Sequence, residues 1–149
     1  MKWHWNYLNL AKEISTWSKD PSTKIGAVAV GKHGQILATG YNGFPRKIKD
    51  TEERLNDKEI KYSYTIHGEM NCIYNATLTG VSLHKATLYV HGLPVCSECA
   101  KGIAQVGIKR VFACHPINVN VKWEQSNYLS QQIFNEAGIE YNSIISERQ

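Results

Sequence analysis

The sequence predicts one α/β domain over residues 1–149, in which a mixed β-sheet is covered by helices on both faces. The length of 149 residues suits a single ordinary domain with a hydrophobic core. The elements follow in the order helix, two hairpin strands, and then three helix–strand pairs. A hairpin gives antiparallel neighbours and the alternating pairs favour parallel ones, so we expect a mixed sheet.

The first half of the chain predicts a helix followed by a hairpin. Apolar side chains recur at helical spacing from Trp5 to Ser18, where Asp-Pro-Ser gives a stop. The β-prone segments IGAVAV and ILATGY are separated by turn residues at 31–34. The charge-rich stretch 44–61 is expected to be a surface excursion with some helix, in a position to cover a site.

The second half alternates between helix and strand. We expect helix in IHGEMNCIYNATLTG up to Gly80, strand in ATLYV, helix in CSECAKGIAQVG and strand in RVFA. Ser126 is predicted to cap a last helix that ends at Gly138, before a final strand in IEYNSII.

Composition and charge exclude several classes of function. No apolar run approaches the length of a membrane span, so we expect no membrane partner. The first residues lack the apolar centre of a secretory signal, which favours a cytoplasmic location. The net charge of +4 is modest, and basic and acidic residues are interleaved at 47–61. This pattern favours a small anionic ligand over a nucleic acid.

His67, Cys96 and Cys99 are the strongest candidates for metal ligands. Two thiolates and one imidazole are typical zinc donors, and a set of three leaves the fourth tetrahedral position open for water. Cysteines at positions i and i+3 of a helix start can chelate one ion, and the helix dipole favours their thiolate forms. Glu69, two residues beyond His67, can reach the water without being a ligand and can transfer protons.

Other interpretations of these motifs remain open at this point. A CxxC pair is also found in redox-active proteins and in structural zinc sites, which have four protein ligands. Cys114 or His115 could supply the fourth ligand, and the zinc would then be structural. In that case the chain is a zinc-stabilised binding module, and Glu69 is a helix-start carboxylate favoured by the dipole. Cys72 is expected to pack as a small buried hydrophobe, as is Cys114 if it is no ligand.

Taken together, H-x-E and a later C-x-x-C preceded by Pro form a zinc deaminase signature. The segments SKDPSTKIGAVAV, GYNGFPR, IHGEMNCIYNA and LPVCSECAKGIAQVGIKRV resemble the deoxycytidylate deaminase family, over roughly residues 8–113. The resemblance implies a cytidine deaminase-like fold, a three-layer α/β/α sandwich around a five-stranded mixed sheet. It also implies a zinc-dependent hydrolase that converts dCMP to dUMP and ammonia and so supplies dUMP for thymidylate synthesis.

The resemblance also implies roles for single residues. His67, Cys96 and Cys99 match the zinc ligands, and Glu69 matches the general acid and base. Asn42 matches a residue that holds the sugar, and the N–H of Gly68 is expected to contact the base carbonyl. Two basic residues near the DPST turn are candidates for the phosphate: Lys19 and Lys24. Regulated members also bind deoxynucleoside triphosphates such as dCTP and dTTP, with Mg²⁺ as a candidate companion ion, at positions matching Tyr41, Asn42, Gly43 and Arg46.

Two departures from the family pattern affect these expectations. Gly68 stands where Ala is usual, which is expected to give the base slightly more room. Val95 stands directly before the first cysteine, where Pro is usual, and Pro94 lies one residue earlier. We therefore expect a displacement of the loop carbonyl that accepts the substrate amino group.

Substrate and assembly remain partly open. Rival substrates are dCTP, free cytidine, guanine, or a base in a polynucleotide. The aromatic residues Trp3, Trp5, Tyr7 and Trp17 occur at helical spacing, which favours core or subunit packing over base stacking. The resemblance implies a homo-oligomer, with a hexamer as the first expectation and a dimer as the second.

Overall fold

The structure is a computed structural model that describes residues 1–116 and 121–146. Within these residues five strands form one sheet: β1 (Gly26–Val30), β2 (Ile36–Tyr41), β3 (Thr87–His91), β4 (Arg110–Pro116) and β5 (Glu140–Ser146). The helices are α1 (Lys2–Ser15), α2 (Glu52–Asn56), α3 (Lys58–Tyr64), α4 (Gly68–Leu78), α5 (Ser97–Gln105) and α6 (Val121–Ala137). No helix in the described part of the chain is long and apolar enough to cross a membrane.

The sheet is mixed, as predicted, and its strand order is β2-β1-β3-β4-β5. Strand β1 pairs antiparallel with both β2 and β3, whereas β3, β4 and β5 pair in parallel. Because β2 and β3 are both antiparallel to β1, they run in the same direction. The carboxyl ends of β2, β3 and β4 therefore lie at one edge of the sheet.

Helices cover both faces of the sheet and give the expected three layers. On one face, α1 packs through Leu8, Ala11 and Ile14. The other face is covered by α4, α5 and α6, which contribute Cys72, Ile103 and Phe134 among others to the larger core. Strand β1 is buried on both sides, since Ala27 and Ala29 face the larger core while Val28 and Val30 face α1.

Two predicted helix starts are wrong in position. Helix α1 begins at Lys2 instead of Trp5. It ends at Ser15 instead of Ser18, because the chain after Ser15 continues in bonds between residues three apart. Ser126 does not begin the last helix, since α6 starts at Val121. Its hydroxyl instead accepts a hydrogen bond from the N–H of Ser97 at 2.9 Å, so that Ser126 on α6 caps the start of α5.

The excursion after β2 contains two short helices and is pinned at both ends. Thr51 and Asp57 accept backbone N–H groups at the starts of α2 and α3. Reciprocal backbone hydrogen bonds between Gly43 and Ile66, at 3.1 and 2.8 Å, close the excursion. Because Ile66 directly precedes His67, this bridge places His67 beside the carboxyl end of β2.

A buried ion pair ties α3 to the turn at residues 18–24. The ammonium of Lys61 lies 3.1 Å from Asp20 Oδ1, and the two side chains are 8% and 9% exposed. Burial alone raises the pKa of Asp20, but hydrogen bonds from the Ser22 and Thr23 N–H groups and the Lys61 ammonium hold it below its ordinary value. The ionised form of Asp20 is therefore favoured by folding.

Lys61→Met is expected to lower the free energy of unfolding by about 3 kcal/mol, because it leaves the Asp20 carboxylate buried without its partner. Urea unfolding at pH 7 measures the loss. Lys58→Met, on the exposed side of α3, is the matched control and should change stability by less than about 0.5 kcal/mol.

The ion pair between Lys61 and Asp20 also makes the free energy of unfolding depend on pH. Because the pKa of Asp20 is depressed in the folded state, its contribution is present above the ordinary carboxyl pKa and is lost as pH falls through the folded value. The difference between the wild-type chain and Lys61→Met should therefore shrink in acid. A difference that stays constant down to acid pH would contradict this assignment.

Candidate metal centre

His67, Cys96 and Cys99 converge on one point. The Nδ1 atom of His67 lies 3.3 Å from Cys96 Sγ and 3.4 Å from Cys99 Sγ, and the three candidate ligand atoms lie within 4.8 Å of one another. Zinc–sulfur and zinc–nitrogen bond lengths place such atoms about 3.6 Å apart around a tetrahedral ion. The residues predicted as ligands are therefore in positions that fit zinc.

Helix starts position all three candidate ligands. His67 is the N-cap residue of α4 and Cys96 is the N-cap residue of α5, both with extended backbone. Cys99 lies one turn into α5, and its backbone N–H donates to Cys96 Sγ at 3.4 Å. The positive ends of two helix dipoles therefore point at the cluster, which favours thiolates there.

The pKa values of the cluster reflect the close contact between His67 and the two cysteines. Hydrogen bonding from Cys99, together with His67, lowers the pKa of Cys96 to about 4. The pKa of His67 is raised to about 9 by its hydrogen bond with Cys96. Cys96 is thus the thiolate of the set, an anionic ligand that is ready for a cation.

Glu69 lies beside the cluster in the first turn of α4 and is 4% exposed. Burial, followed by the negative charge of Cys96, raises the pKa of its carboxyl group to about 7. A carboxyl group with this pKa can both accept and release a proton near neutral pH. His67 is exposed while Glu69 and both cysteines are buried, so the cluster opens to solvent on the side of the imidazole.

A fourth protein ligand is not found among the described residues, since the only group of metal-ligating side chains there is the His67, Cys96 and Cys99 set. Cys114 packs on the opposite face of the sheet with the α1 core. The ring of His115 is held by Ser143 Oγ at 2.6 Å. The three-ligand arrangement favours a catalytic site over a structural one.

Cys72 has the packing role expected from the sequence. It is fully buried in the larger core, and burial raises the pKa of its thiol to about 12. Helix α4 approaches β2 very closely at this point, because a Cβ on Gly40 would lie 2.2 Å from the Cys72 backbone nitrogen. Gly40 therefore permits the contact that seats α4 and its first-turn residues.

The loop before Cys96 is fixed by residues that no sequence motif indicated. The N–H of Val95, which a proline lacks, donates to the hydroxyl of Tyr141 at 3.2 Å. The Val95 carbonyl accepts from Ser130 Oγ at 2.7 Å, and the Tyr141 hydroxyl donates to Asn127 Oδ1 at 3.3 Å. We call these contacts the α6–β5 clamp; they hold the Val95 carbonyl on α6.

Gly68 does not enlarge the space for a base, contrary to the sequence expectation. A Cβ at this position would point toward Ile25, at 3.0 Å from its carbonyl oxygen and 3.1 Å from its Cγ2. The missing methyl group therefore relieves contact between α4 and the start of β1. The Gly68 N–H remains one of the first-turn donors that have no partner within a helix.

The side chains predicted to hold the substrate already form hydrogen bonds or ion pairs with other residues of the chain. Asn42 is buried; its Oδ1 accepts the Ile25 N–H at 2.8 Å, and its Nδ2 donates to the Thr23 carbonyl at 2.9 Å. Lys19 pairs with Asp50 at 3.1 Å on the surface. The ammonium of Lys24 donates to the Ser18 carbonyl.

The predicted effector residues are only partly brought together. Tyr41, Asn42 and Gly43 line a cavity of about 130 Å³ that is separate from the metal cluster, and Lys19 lines it as well. The guanidinium of Arg46 instead donates to Asn75 Oδ1 on α4 at 2.6 Å.

Comparisons with known proteins agree with this site. Residues 1–115 match the family model of the cytidine and deoxycytidylate deaminase zinc-binding region. The chain is 35% identical over 140 residues to the "uncharacterized deaminase in luxG 3′ region" of Aliivibrio fischeri, covering 93% of this chain and 91% of that protein. It is 33% identical over 152 residues to the deoxycytidylate deaminase of Homo sapiens, covering 97% and 81%.

A solved structure shares the fold. The dCMP deaminase of cyanophage S-TIM5, in complex with dCMP and dUMP, aligns with a TM-score of 0.73 and 24% identity, covering 93% of this chain and 94% of that one. The three-layer architecture is thus that of a cytidine deaminase-like protein.

Tyr141→Phe is expected to lower zinc affinity about tenfold, because it frees the loop that places Cys96 while the ring still packs on Phe134. Competition with a chelating dye measures the affinity. Tyr128→Phe, which removes an exposed hydroxyl on α6, is the control and should leave the affinity unchanged. Equal affinities in both variants would rule out the α6–β5 clamp as a support of the metal site.

Proposed function

Because the chain belongs to the cytidine and deoxycytidylate deaminase family, we propose that it is a zinc-dependent hydrolase that converts dCMP and water to dUMP and ammonia. The observation that carries the proposal is the His67, Cys96 and Cys99 cluster with the buried carboxyl group of Glu69 beside it. The deoxycytidylate deaminases among its relatives and the dCMP and dUMP complex of its structural neighbour support this substrate. Such a reaction supplies dUMP for thymidylate synthesis.

In the proposed reaction His67, Cys96 and Cys99 hold one zinc ion. When bound, zinc supplies Lewis-acid activation of the water that attacks the ring carbon bearing the amino group. Glu69 accepts a proton from this water and passes it to ring N3. It then takes the second proton from the hydroxyl group now bound to the ring carbon and delivers it to the amino group, so that the carbon–nitrogen bond breaks and ammonia leaves. The burial of Glu69, which keeps its pKa near 7, suits both directions of transfer.

The same proposal assigns contacts to the rest of the nucleotide. The Gly68 N–H contacts the base carbonyl, Asn42 holds the sugar, and Lys19 and Lys24 bind the phosphate. Lys19 can exchange partners at little cost, because its ion pair with Asp50 is solvent-exposed. For Asn42, contact with the sugar has to use the amide hydrogen or lone pair that its bonds to Ile25 and Thr23 leave over.

Assembly into a homo-oligomer is also part of the proposal, with a hexamer preferred to a dimer. Helix α4 supports it, because Tyr74 and Leu78 lie one turn apart and are 49% and 69% exposed. Large apolar side chains that share one exposed helix face are typical of surfaces that bind another protein.

Glu69→Gln is expected to reduce turnover of dCMP about 1,000-fold while zinc content and fold are retained, because the proton-transfer group is lost. Ammonia release measures turnover, and metal analysis measures zinc. Glu98→Gln, an exposed carboxylate on α5 close to the cysteines, is the control and should keep full activity.

The substrate is tested with a panel of dCMP, CMP, dCTP, deoxycytidine and guanine. We expect turnover to be confined to dCMP. Turnover of another member alone would keep the zinc chemistry and refute dCMP as the substrate. No turnover of any member by a zinc-loaded, folded chain would refute a free nucleotide, nucleoside or base as the substrate and favour a polynucleotide substrate or a binding module.

Regulation by deoxynucleoside triphosphates, with Mg²⁺ as companion ion, is proposed for the cavity lined by Tyr41, Asn42 and Gly43, with Arg46 following it in the chain. We expect dCTP to raise and dTTP to lower the rate at dCMP concentrations below saturation. Initial rates with and without Mg²⁺ test this. A flat response to both triphosphates would remove the effector proposal and leave the deaminase proposal intact.

A further inference from the structure

A second cleft, of about 480 Å³, lies at the opposite edge of the sheet from the metal cluster. It is formed where β1 ends and where β3 and β4 begin, against the first turns of α1. Its volume falls in the range of about 300–1,000 Å³ that is typical of small-molecule sites. We call it the basic cleft, and its lining residues with polar or aromatic side chains are Trp3, His4, Tyr7, Lys32, His33, Lys85, Thr87, Tyr89, Lys109 and Arg110.

Positive charge is concentrated among the residues that line the basic cleft, although Glu140 lies close enough to act on His4. Lys32, Lys85, Lys109 and Arg110 line it, and neither Asp nor Glu does. None of these four cations belongs to an ion pair within residues 1–116 and 121–146. Glu140, which pairs with Arg110 across the β4–β5 ladder, accepts from Asn142 Nδ2 at 2.8 Å instead. Four unpaired cations around one cavity attract a multiply charged anion.

The guanidinium of Arg110 and the backbone of Lys85 are held in place before any ligand arrives. Arg110 Nε donates to Thr87 Oγ1 at 3.2 Å, which orients the guanidinium and leaves its terminal nitrogens free to donate. Lys85 has φ of 63°, in the left-handed region that non-glycine residues rarely adopt. Its N–H donates to the Gly107 carbonyl at 2.7 Å, which holds the strained turn. Strained residues of this kind are concentrated at ligand sites.

Aromatic side chains line the basic cleft beside the cations. The hydroxyl of Tyr7 donates to the Gly34 carbonyl at 2.7 Å, and that of Tyr89 is bonded to His4 Nδ1 at 2.7 Å, so both rings are fixed. Trp3 packs on Tyr7 with ring centroids 6.3 Å apart and is 67% exposed. An indole exposed beside fixed rings offers a stacking surface for a planar base.

We propose that the basic cleft is a second ligand site, which binds a nucleoside triphosphate with its phosphates among the lysines and Arg110 and its base against Trp3. The proposal does not depend on the deaminase reaction, since the basic cleft shares no residue with the metal cluster. The volume of about 480 Å³ suits one nucleotide better than a strand of nucleic acid, which needs an extended groove.

The proposal is tested by calorimetric titration of the zinc-loaded full chain with ATP, which has no cytosine base. Lys85→Gly removes a cation and is compatible with the left-handed backbone. It should raise the urea midpoint for unfolding yet weaken ATP binding about tenfold. Trp3→Ala should weaken binding about tenfold through lost stacking. The controls are Lys58→Gln and Trp5→Ala, two exposed side chains outside the basic cleft, which should bind like the wild-type chain.

Further titrations separate the alternatives. Saturating dCMP should not displace ATP, and Glu69→Gln should bind ATP normally, so failure of the deaminase proposal leaves this one testable. Absence of ATP binding, or equal binding by all cleft variants and controls, would overturn the proposal. Inorganic triphosphate that binds as tightly as ATP would reduce the basic cleft to an anion site. An oligo-dT strand that binds more tightly and is lost in the same variants would replace the nucleotide with nucleic acid.

Discussion

The meeting of two helix starts is the contact on which the metal site depends. His67 and Cys96 are the N-cap residues of α4 and α5, so each ligand is placed by the point at which a helix begins. The two helices are in close contact, since a Cβ on Gly102 of α5 would lie 2.6 Å from the sulfur of Met70 on α4. Both dipoles favour negative charge at the same point, and a bound cation would let Cys99 ionise beside the Cys96 thiolate.

The strand directions explain why the starts of α4 and α5 lie together. Strands β2 and β3 run the same way on either side of β1, so the chain leaves both at one edge of the sheet. The bridge between Gly43 and Ile66 returns the chain to that edge after the excursion, directly before His67. The loop after β3 reaches Cys96 from the same edge. The sheet therefore brings these distant segments of the chain together. Local sequence preferences do not.

Local patterns predicted most of the elements and the three residues that cluster as candidate ligands, but they could not reveal the contacts that support them. The hairpin, the sheet class and the His67, Cys96 and Cys99 set follow from periodicity and donor chemistry within short windows. The bond from Val95 to Tyr141 joins residues 46 positions apart, and no motif marks either partner. The role of Ser126 was predicted wrongly for the same reason: its hydroxyl suits a cap, but the helix that it caps belongs to another part of the chain.

The position of the basic cleft limits what its ligand can do to the distant metal site. Coupling between two sites requires an element with two discrete arrangements. Strands β1 and β3 connect the two edges, and they are buried between helices and paired on both sides, which makes them a rigid connection. Trp3 and His4 belong to the first turn of α1, which covers the opposite face of the sheet from α4 and α5. We therefore expect a ligand there to act mainly by stabilising the folded state through mass action, with little effect on chemistry at Glu69.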